Sequence, residues 1–260
     1  MNLSIAIPTF NSSKYLLELL NQVKKINKVN EIVIQDDASD ENDYHQITEI
    51  VENFKRSNNI EIELNRNEFN LGGFKNKYLT VENCKNDIVY QIDSDNIISN
   101  STIKYLNKKN FNKLNKNHLY VPGYIYVFKN NYQFTKLKKS SHTKLTDDKL
   151  EINFEDIKEN IQKNIITPKT IDWVLQIGNW LFNKSSYLEK LYQGFQSEKY
   201  PLEACSIAGA YFWLVNDGSL IIDNKLRHHH RLRGDSYYMI EKENAPKSVN
   251  FFLEKFKDHD

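Results

Sequence analysis

The feature that most limits this chain is the alternation in its first hundred residues: a short apolar run, a polar turn, then a helical pattern, repeated. "LSIAI" (3–7) leads through "PTFN" to Ser12 and Ser13, either able to cap a helix, and then to Tyr15, Leu16, Leu19, Leu20, Val23 and Ile26 at helical spacing. "EIVI" (31–34) leads through "QDDASDEN" to Tyr44, Ile47, Ile50, Val51 and Phe54, with Asp40 or Asp43 near the helix start. "IEIEL" (60–64) leads through "NRNEFNLGG" to a segment carrying Leu71, Tyr78 and Leu79, and "DIVYQI" (87–92) runs into "DSDN". Strands covered on both faces read as unbroken apolar runs, and strands alternating with helices build βαβ units. The expected fold is α/β, a mostly parallel central sheet flanked by helices.

The second half is less regular. Residues 107–118 are polar and read as a surface connection, "LYVPGYIYVF" (119–128) as paired strands, and "NFEDIKENIQKNI" (153–165) as a helix. "GNWLFNKSSYLEKL" (178–191) predicts a strand passing into a short helix, and "EACSIAGAYFWLVNDG" (203–218) a largely buried helix ended by Gly218. The tail predicts an amphipathic helix with Pro246 in its first turn. No linker rich in Gly, Ser or Pro intervenes, so residues 1–100 and 101–260 are expected to be two lobes of one continuous domain.

In an open parallel sheet the carboxyl ends of neighbouring strands converge on one edge, where ligands bind. Asp36, Asp37, Asp93 and Asp95 would then be neighbours. Close carboxylates disfavour each other's ionised form unless something cationic or a rich donor set compensates. A divalent cation is the simplest compensation, and Mg²⁺ takes one or two protein carboxylates plus waters and substrate phosphates, so "DSD" (Asp93, Ser94, Asp95) suggests a nucleoside diphosphate bridged by Mn²⁺ or Mg²⁺. A lone D-x-D after a strand is more often a turn or a helix cap. Acidic or amide-bearing turns at several strand ends shift that balance. Asn67 and Asn70 can donate to ribose or phosphate, and Lys75 and Asn76 follow at the helix entry. Spacing excludes a calcium loop, and neither a phosphate-binding P-loop nor a dinucleotide glycine fingerprint is present.

Thirty-five basic residues against 34 acidic ones give no electrostatic case for nucleic acid. The two cysteines, Cys84 and Cys205, lack metal or redox spacing, and no run of about 18 apolar residues occurs. The expectation is a cytoplasmic protein, with contact at the inner face of the membrane left open.

"LSIAIPTFN", "EIVIQDDASDEN", "NEFNLGGFKNKYL" and "DIVYQIDSDNIIS", in this order, resemble the nucleotide-binding half of inverting family 2 glycosyltransferases with the GT-A fold. The resemblance covers about the first 100 residues. It implies that Pro8, Thr9, Asn11, Asp36 and Asp37 hold base and ribose, that Asp93 lies near the ribose or metal, and that Asp95 coordinates the ion on the diphosphate. Ala38, Asp40 and Lys75 depart from the residues usual there. In the second lobe the resemblance places the general base at Glu203, with Glu198 and Asp172 as alternatives, although Ala204 stands where a second acid is usual.

"RHHHRLRGDSYY" (227–238) is the other unusual stretch. In an extended segment His228 and His230 share a face, and either could be a third metal ligand or touch the diphosphate, with Arg231 or Arg233 neutralising the leaving group. Trp173, Trp180 and Trp213 read as core before sugar platforms. The function these features imply is metal-dependent, inverting transfer of a sugar from a nucleoside-diphosphate donor, a UDP-sugar foremost, to a saccharide or lipid-linked acceptor in surface polysaccharide synthesis. The alternative is a non-catalytic sugar- or nucleotide-sugar-binding protein of the same fold.

Overall fold

The computed structural model describes residues 2–129, 133–139, 149–167, 175, 178–233 and 243–259. Asp172, Trp173 and the end of the 227–238 stretch lie outside them. The apolar runs form β1 (Leu3–Thr9), β2 (Val29–Asp36), β3 (Glu61–Arg66) and β4 (Ile88–Gln91), and the helical patterns form α1 (Ser13–Val23), α2 (Glu41–Ser57) and α3 (Gly73–Glu82). All contacts among these four strands are parallel, in the spatial order β3-β2-β1-β4.

Alternate side chains of each strand serve different layers. Ile5, Ile7, Ile32 and Ile34 pack under α1, α2 and α4 (Asn100–Lys108), while Ala6, Val33 and Val89 face α3 and the second-lobe helices. That double covering is why the runs are continuously apolar.

The same sheet continues into the second lobe. β9 (Leu181–Asn183) lies antiparallel to β4 and joins it to β6 (His118–Lys129), which pairs in parallel with β10 (Ser219–Arg231). The short β5 (Ile97–Ile98) closes that edge, with β7 (Gln133–Lys139) on β6 and β8 (Lys149–Ile152) on β10. Residues 119–128, expected as paired strands, belong to the single strand β6. Pro122, which has no N–H to donate, sits opposite Asp223, where the β10 register shifts. Part of the expected polar connection is structured: α4 ends at Lys108, and a single 3₁₀ turn (Phe111–Lys113) buries Phe111.

The helices α5 (Phe154–Gln162), α6 (Lys184–Gln196), α7 (Cys205–Val215) and α8 (Ala245–Asp258) cover the other face. Trp180 and Trp213 are core residues there, so neither is a sugar platform. Gly194 of α6 lets α7 approach: a Cβ there would collide with the Phe212 ring and sit 2.8 Å from Phe74 Cζ. Gly194→Val is therefore expected to cost about 3 kcal/mol, lowering Tm by roughly 10 °C. A calorimetric scan showing an unchanged Tm would contradict this packing.

Candidate active site

The segments after β1, β2, β3 and β4 meet along one rim, where Asn11 joins the first two to Arg233 beyond β10. The Asn11 backbone is left-handed (φ 46), which turns its polar groups three ways. Its N–H donates to Ser39 Oγ at 2.8 Å, its Oδ1 accepts from Asp40 N at 3.0 Å, and its carbonyl accepts from Arg233 Nη2 at 2.9 Å. Beside it the Thr9, Ser12 and Ser94 hydroxyls form a buried chain, 2.8 and 2.6 Å between oxygens, linking β1 to the D-S-D turn. Pro8 lies within β1 opposite Gln35. Ser12 is the N-cap of α1, as expected, but its hydroxyl does not cap. Asp43 of α2 accepts the Ser12 and Ser13 N–H groups instead, at 3.0 and 3.1 Å.

The paired aspartates organise loops. Asp36, fully buried, accepts from Ser39 N and Ser39 Oγ and lies 3.4 Å from Arg66 Nε. Asp37 accepts from Asn67 Nδ2 at 2.8 Å, Leu71 N at 2.8 Å and Gly72 N at 3.0 Å, fixing the 67–72 loop. Gly72, at φ 81, supplies a backbone that other residues resist. Burial raises the pKa of both carboxyls, against the hydrogen bonds that lower it. Asn67 is fully engaged, donating also to Asn76 Oδ1 and accepting from Gln35 Nε2.

The D-S-D turn carries its own cations. Asp93 Oδ1 pairs with Lys77 Nζ at 2.8 Å, and Asp95 Oδ2 with Arg233 Nη1 at 3.2 Å. Lys75, the expected lysine, makes no ion pair or hydrogen bond among the described residues. Two positions along a helix is about 200° of rotation, so Lys77 faces the sheet where Lys75 does not. Burial opposes the Lys77 ammonium, but Asp93 and neighbouring groups outweigh it and its pKa rises. Asp95 is raised by burial and then by Asp93, with Arg233 and His230 pulling the other way.

The basic stretch reaches this turn through β5. Ile98 and Ile97 pair antiparallel with His228 and His229, which brings the end of β10 alongside residues 93–96. Arg231 then donates to the Asp95 carbonyl at 2.9 Å and pairs with Glu18 at 2.8 Å. The His228 and His230 rings lie side by side, 5.5 Å between centroids, while His229 packs on the Tyr126 ring. Burial lowers the pKa of His228 well below normal, and lowers that of His230 despite Asp95 and Asp93. Asn179, ahead of β9, accepts the Asp93 N–H at 3.2 Å; that bond, the Lys77 ion pair and the Asp43 cap of α1, none of them foreseen in the sequence, hold the rim together.

Across the rim, α7 begins against α3, with Cys205 Sγ 3.3 Å from where a Cβ on Gly73 would sit. Two residues earlier, Glu203 has a buried Oε2 with no hydrogen-bond partner among the described residues. An unsatisfied buried carboxylate oxygen calls for a functional account. Glu198 is exposed between α6 and α7. Among the described residues no group of three or more His, Cys, Asp and Glu encloses a metal position. An ion shared with a diphosphate needs only one or two carboxylates. Asp95 Oδ1, with no partner among the described residues, and the adjacent Asp93 satisfy that demand.

A mostly parallel sheet of this topology, with acidic turns along one rim, defines a GT-A glycosyltransferase fold. Residues 1–349 of Staphylococcus aureus TarS, solved with UDP-GlcNAc, match with a TM-score of 0.61 over 91% of this chain and 60% of that one, at 18% identity. The mannosyltransferase PcManGT of Pyrobaculum calidifontis, solved with GDP-Man and Mn²⁺, matches with a TM-score of 0.61 over 100% and 65%, at 14% identity. The chain belongs to glycosyl transferase family 2, whose profile matches residues 4–199. In sequence it is 32% identical over 108 residues to TarS, the poly(ribitol-phosphate) beta-N-acetylglucosaminyltransferase of S. aureus, covering 40% of this chain but 18% of TarS. It is 31% identical over 109 residues to the abequosyltransferase RfbV of Salmonella typhimurium, covering 41% of this chain and 32% of RfbV. No helix among the described residues is long and apolar enough to cross a membrane.

Proposed function

We propose that this protein transfers a sugar, with inversion, from a nucleoside-diphosphate donor to a saccharide or lipid-linked acceptor of a cell-surface polysaccharide. The observation that carries the reading is the Asn11 junction: it ties the β1 and β2 turns to Arg233, which holds Asp95, so that the base, ribose and diphosphate ends of one ligand have a continuous seat. Thr9, Asn11 and the Asp36–Asp37 loop, with Pro8 and Asn67 behind them, bound the nucleoside; Ser94, Asp93 and Arg233 bound the diphosphate. Lys75, half-buried on α3, is left to line the entrance. A UDP-sugar is the foremost donor, since TarS was solved with UDP-GlcNAc.

Asp95, with Asp93 beside it, would hold Mn²⁺ or Mg²⁺. When bound, the ion neutralises charge on the leaving diphosphate. Glu203 is the base: the acceptor hydroxyl oxygen bonds to the anomeric carbon, its proton passes to the carboxylate, and the bond from that carbon to the phosphate oxygen breaks. Arg233 and Lys77 already supply positive charge at the rim, which favours the departing nucleoside diphosphate. Work at the cytoplasmic face of a membrane fits a lipid-linked acceptor.

Thermal-shift titration against UDP-, GDP-, CMP- and dTDP-sugars with Mn²⁺, followed by assay of released nucleotide, tests the proposal. One donor class should raise Tm and be turned over. Binding without turnover by any donor and acceptor would favour the non-catalytic alternative, and binding of no nucleotide would leave only its carbohydrate-binding form.

A further inference from the structure

The turn that carries Glu203 is held in place by α8. Glu203 Oε2 has no hydrogen-bond partner among the described residues, so that oxygen is placed by its backbone and its packing alone. The backbone is gripped on both sides. Ser248 of α8, fully buried, donates its hydroxyl to the Pro201 carbonyl and accepts the Ala204 N–H at 3.2 Å, two bonds that bracket Leu202 and Glu203. A hydroxyl can make both, having one proton to give and lone pairs to receive. Just ahead of the bracket, the Tyr200 ring packs edge-on to Phe212 of α7, 5.1 Å between centroids, and stacks on Phe252 of α8 at 6.2 Å. Ala204, the N-cap of α7, makes no side-chain cap, so the start of that helix is fixed from α8 instead. The first turn of α7 then meets the rim. Ser206 Oγ lies 3.3 Å from where a Cβ on Gly178 would sit, and the Gly178 carbonyl accepts from Gln91 Nε2, at the end of β4, at 2.8 Å.

We propose that Ser248 is a positioning residue for the transfer step: through the Pro201 carbonyl and the Ala204 N–H it sets where the Glu203 carboxylate meets the acceptor hydroxyl. The inference rests on the reading of Glu203 as the general base. A base works only within hydrogen-bond reach of the proton it takes, and a misplacement of about 1 Å can cost about 10²-fold in rate. Glu203 Oε2 has no bond of its own to restore its aim. Without the Ser248 hydroxyl, two backbone groups lose their common partner and the 201–204 turn is free to shift. The nucleotide seat lies on the β1, β2 and β4 turns and shares neither bond, so UDP affinity should not change.

Steady-state kinetics of single and double variants of the full chain, read as released nucleotide, test the proposal. Ser248→Ala should lower kcat about tenfold with UDP affinity unchanged. In a Glu203→Gln background the same substitution should lower the residual kcat by less than about twofold, because residues that act as a unit are not additive. Ser248→Cys keeps nearly the same volume but has only a weak donor and acceptor, and its kcat should fall in the same way. It takes the place of Ser248→Ala in both backgrounds if the alanine variant does not fold, as judged by circular dichroism at the assay temperature. A merely structural Ser248 would lower kcat by the same factor with and without the Glu203 carboxylate. That result, or wild-type kcat in a folded Ser248 variant, would overturn the proposal and leave the base assignment standing. If Glu203→Gln alone costs only a few-fold, the base assignment fails and takes the proposal with it. A wild-type chain that turns over no donor would remove the transferase reading and the proposal together.

Discussion

Asp95→Asn is expected to lower transfer by about 10²–10³-fold, the scale of removing one electrostatic stabiliser of a transition state, and to abolish the strengthening of nucleotide binding by Mn²⁺. Asparagine keeps the shape of the side chain, and its carbonyl oxygen can still accept from Arg233 Nη1, which donates to Asp95 Oδ2 at 3.2 Å. What it loses is the charge and the anionic Oδ1 available to an ion. Arg233 keeps its bond to the Asn11 carbonyl, so the rim retains its frame. Circular dichroism and a thermal scan separate a lost fold from a lost metal. Wild-type turnover in a folded variant, at the same Mn²⁺ concentration, would place the ion elsewhere.

Glu203→Gln is expected to reduce kcat by about 10²–10⁴-fold, the usual worth of a positioned general base, with UDP affinity unchanged. The two side chains have the same size, so the substitution tests proton acceptance alone. The carboxylate oxygen that would receive the proton is buried and unpartnered among the described residues, and the next residue, Ala204, offers no substitute. Steady-state kinetics with saturating donor isolates the effect. A loss of only a few-fold would move the base to Glu198 or Asp172.

The sheet was legible because its signals are local. Runs such as "LSIAI" and "EIVI" are apolar on both faces, and parallel topology then brings their ends together without further information. Helix α4 also carried a signal, Ser99 capping Thr102 N with Ile103 and Leu106 buried, but asparagines and lysines around it masked the period. Much of the site was harder to read because it depends on partners far along the chain. Asp43 caps α1 from 30 residues away, and Asn179 reaches Asp93 from 86 residues away. No spacing rule connects such pairs. The choice between Lys75 and Lys77 turned on which face of α3 meets β4, a matter of helix rotation. Asp36 and Asp37 were recognisable as a strand-end pair, yet Asp36 bonds to its own loop and Asp37 to the 67–72 loop, which the sequence could not reveal.

The seat formed by the β1, β2 and β4 turns around Asn11 and Asp95 is tested most directly by crystals grown with UDP and Mn²⁺, with data collected to locate manganese by anomalous scattering. The manganese peak should lie against the Asp95 carboxylate, with the diphosphate between it and Arg233 and the uracil toward the Asp37 loop. A nucleotide and metal bound away from that rim would contradict the account.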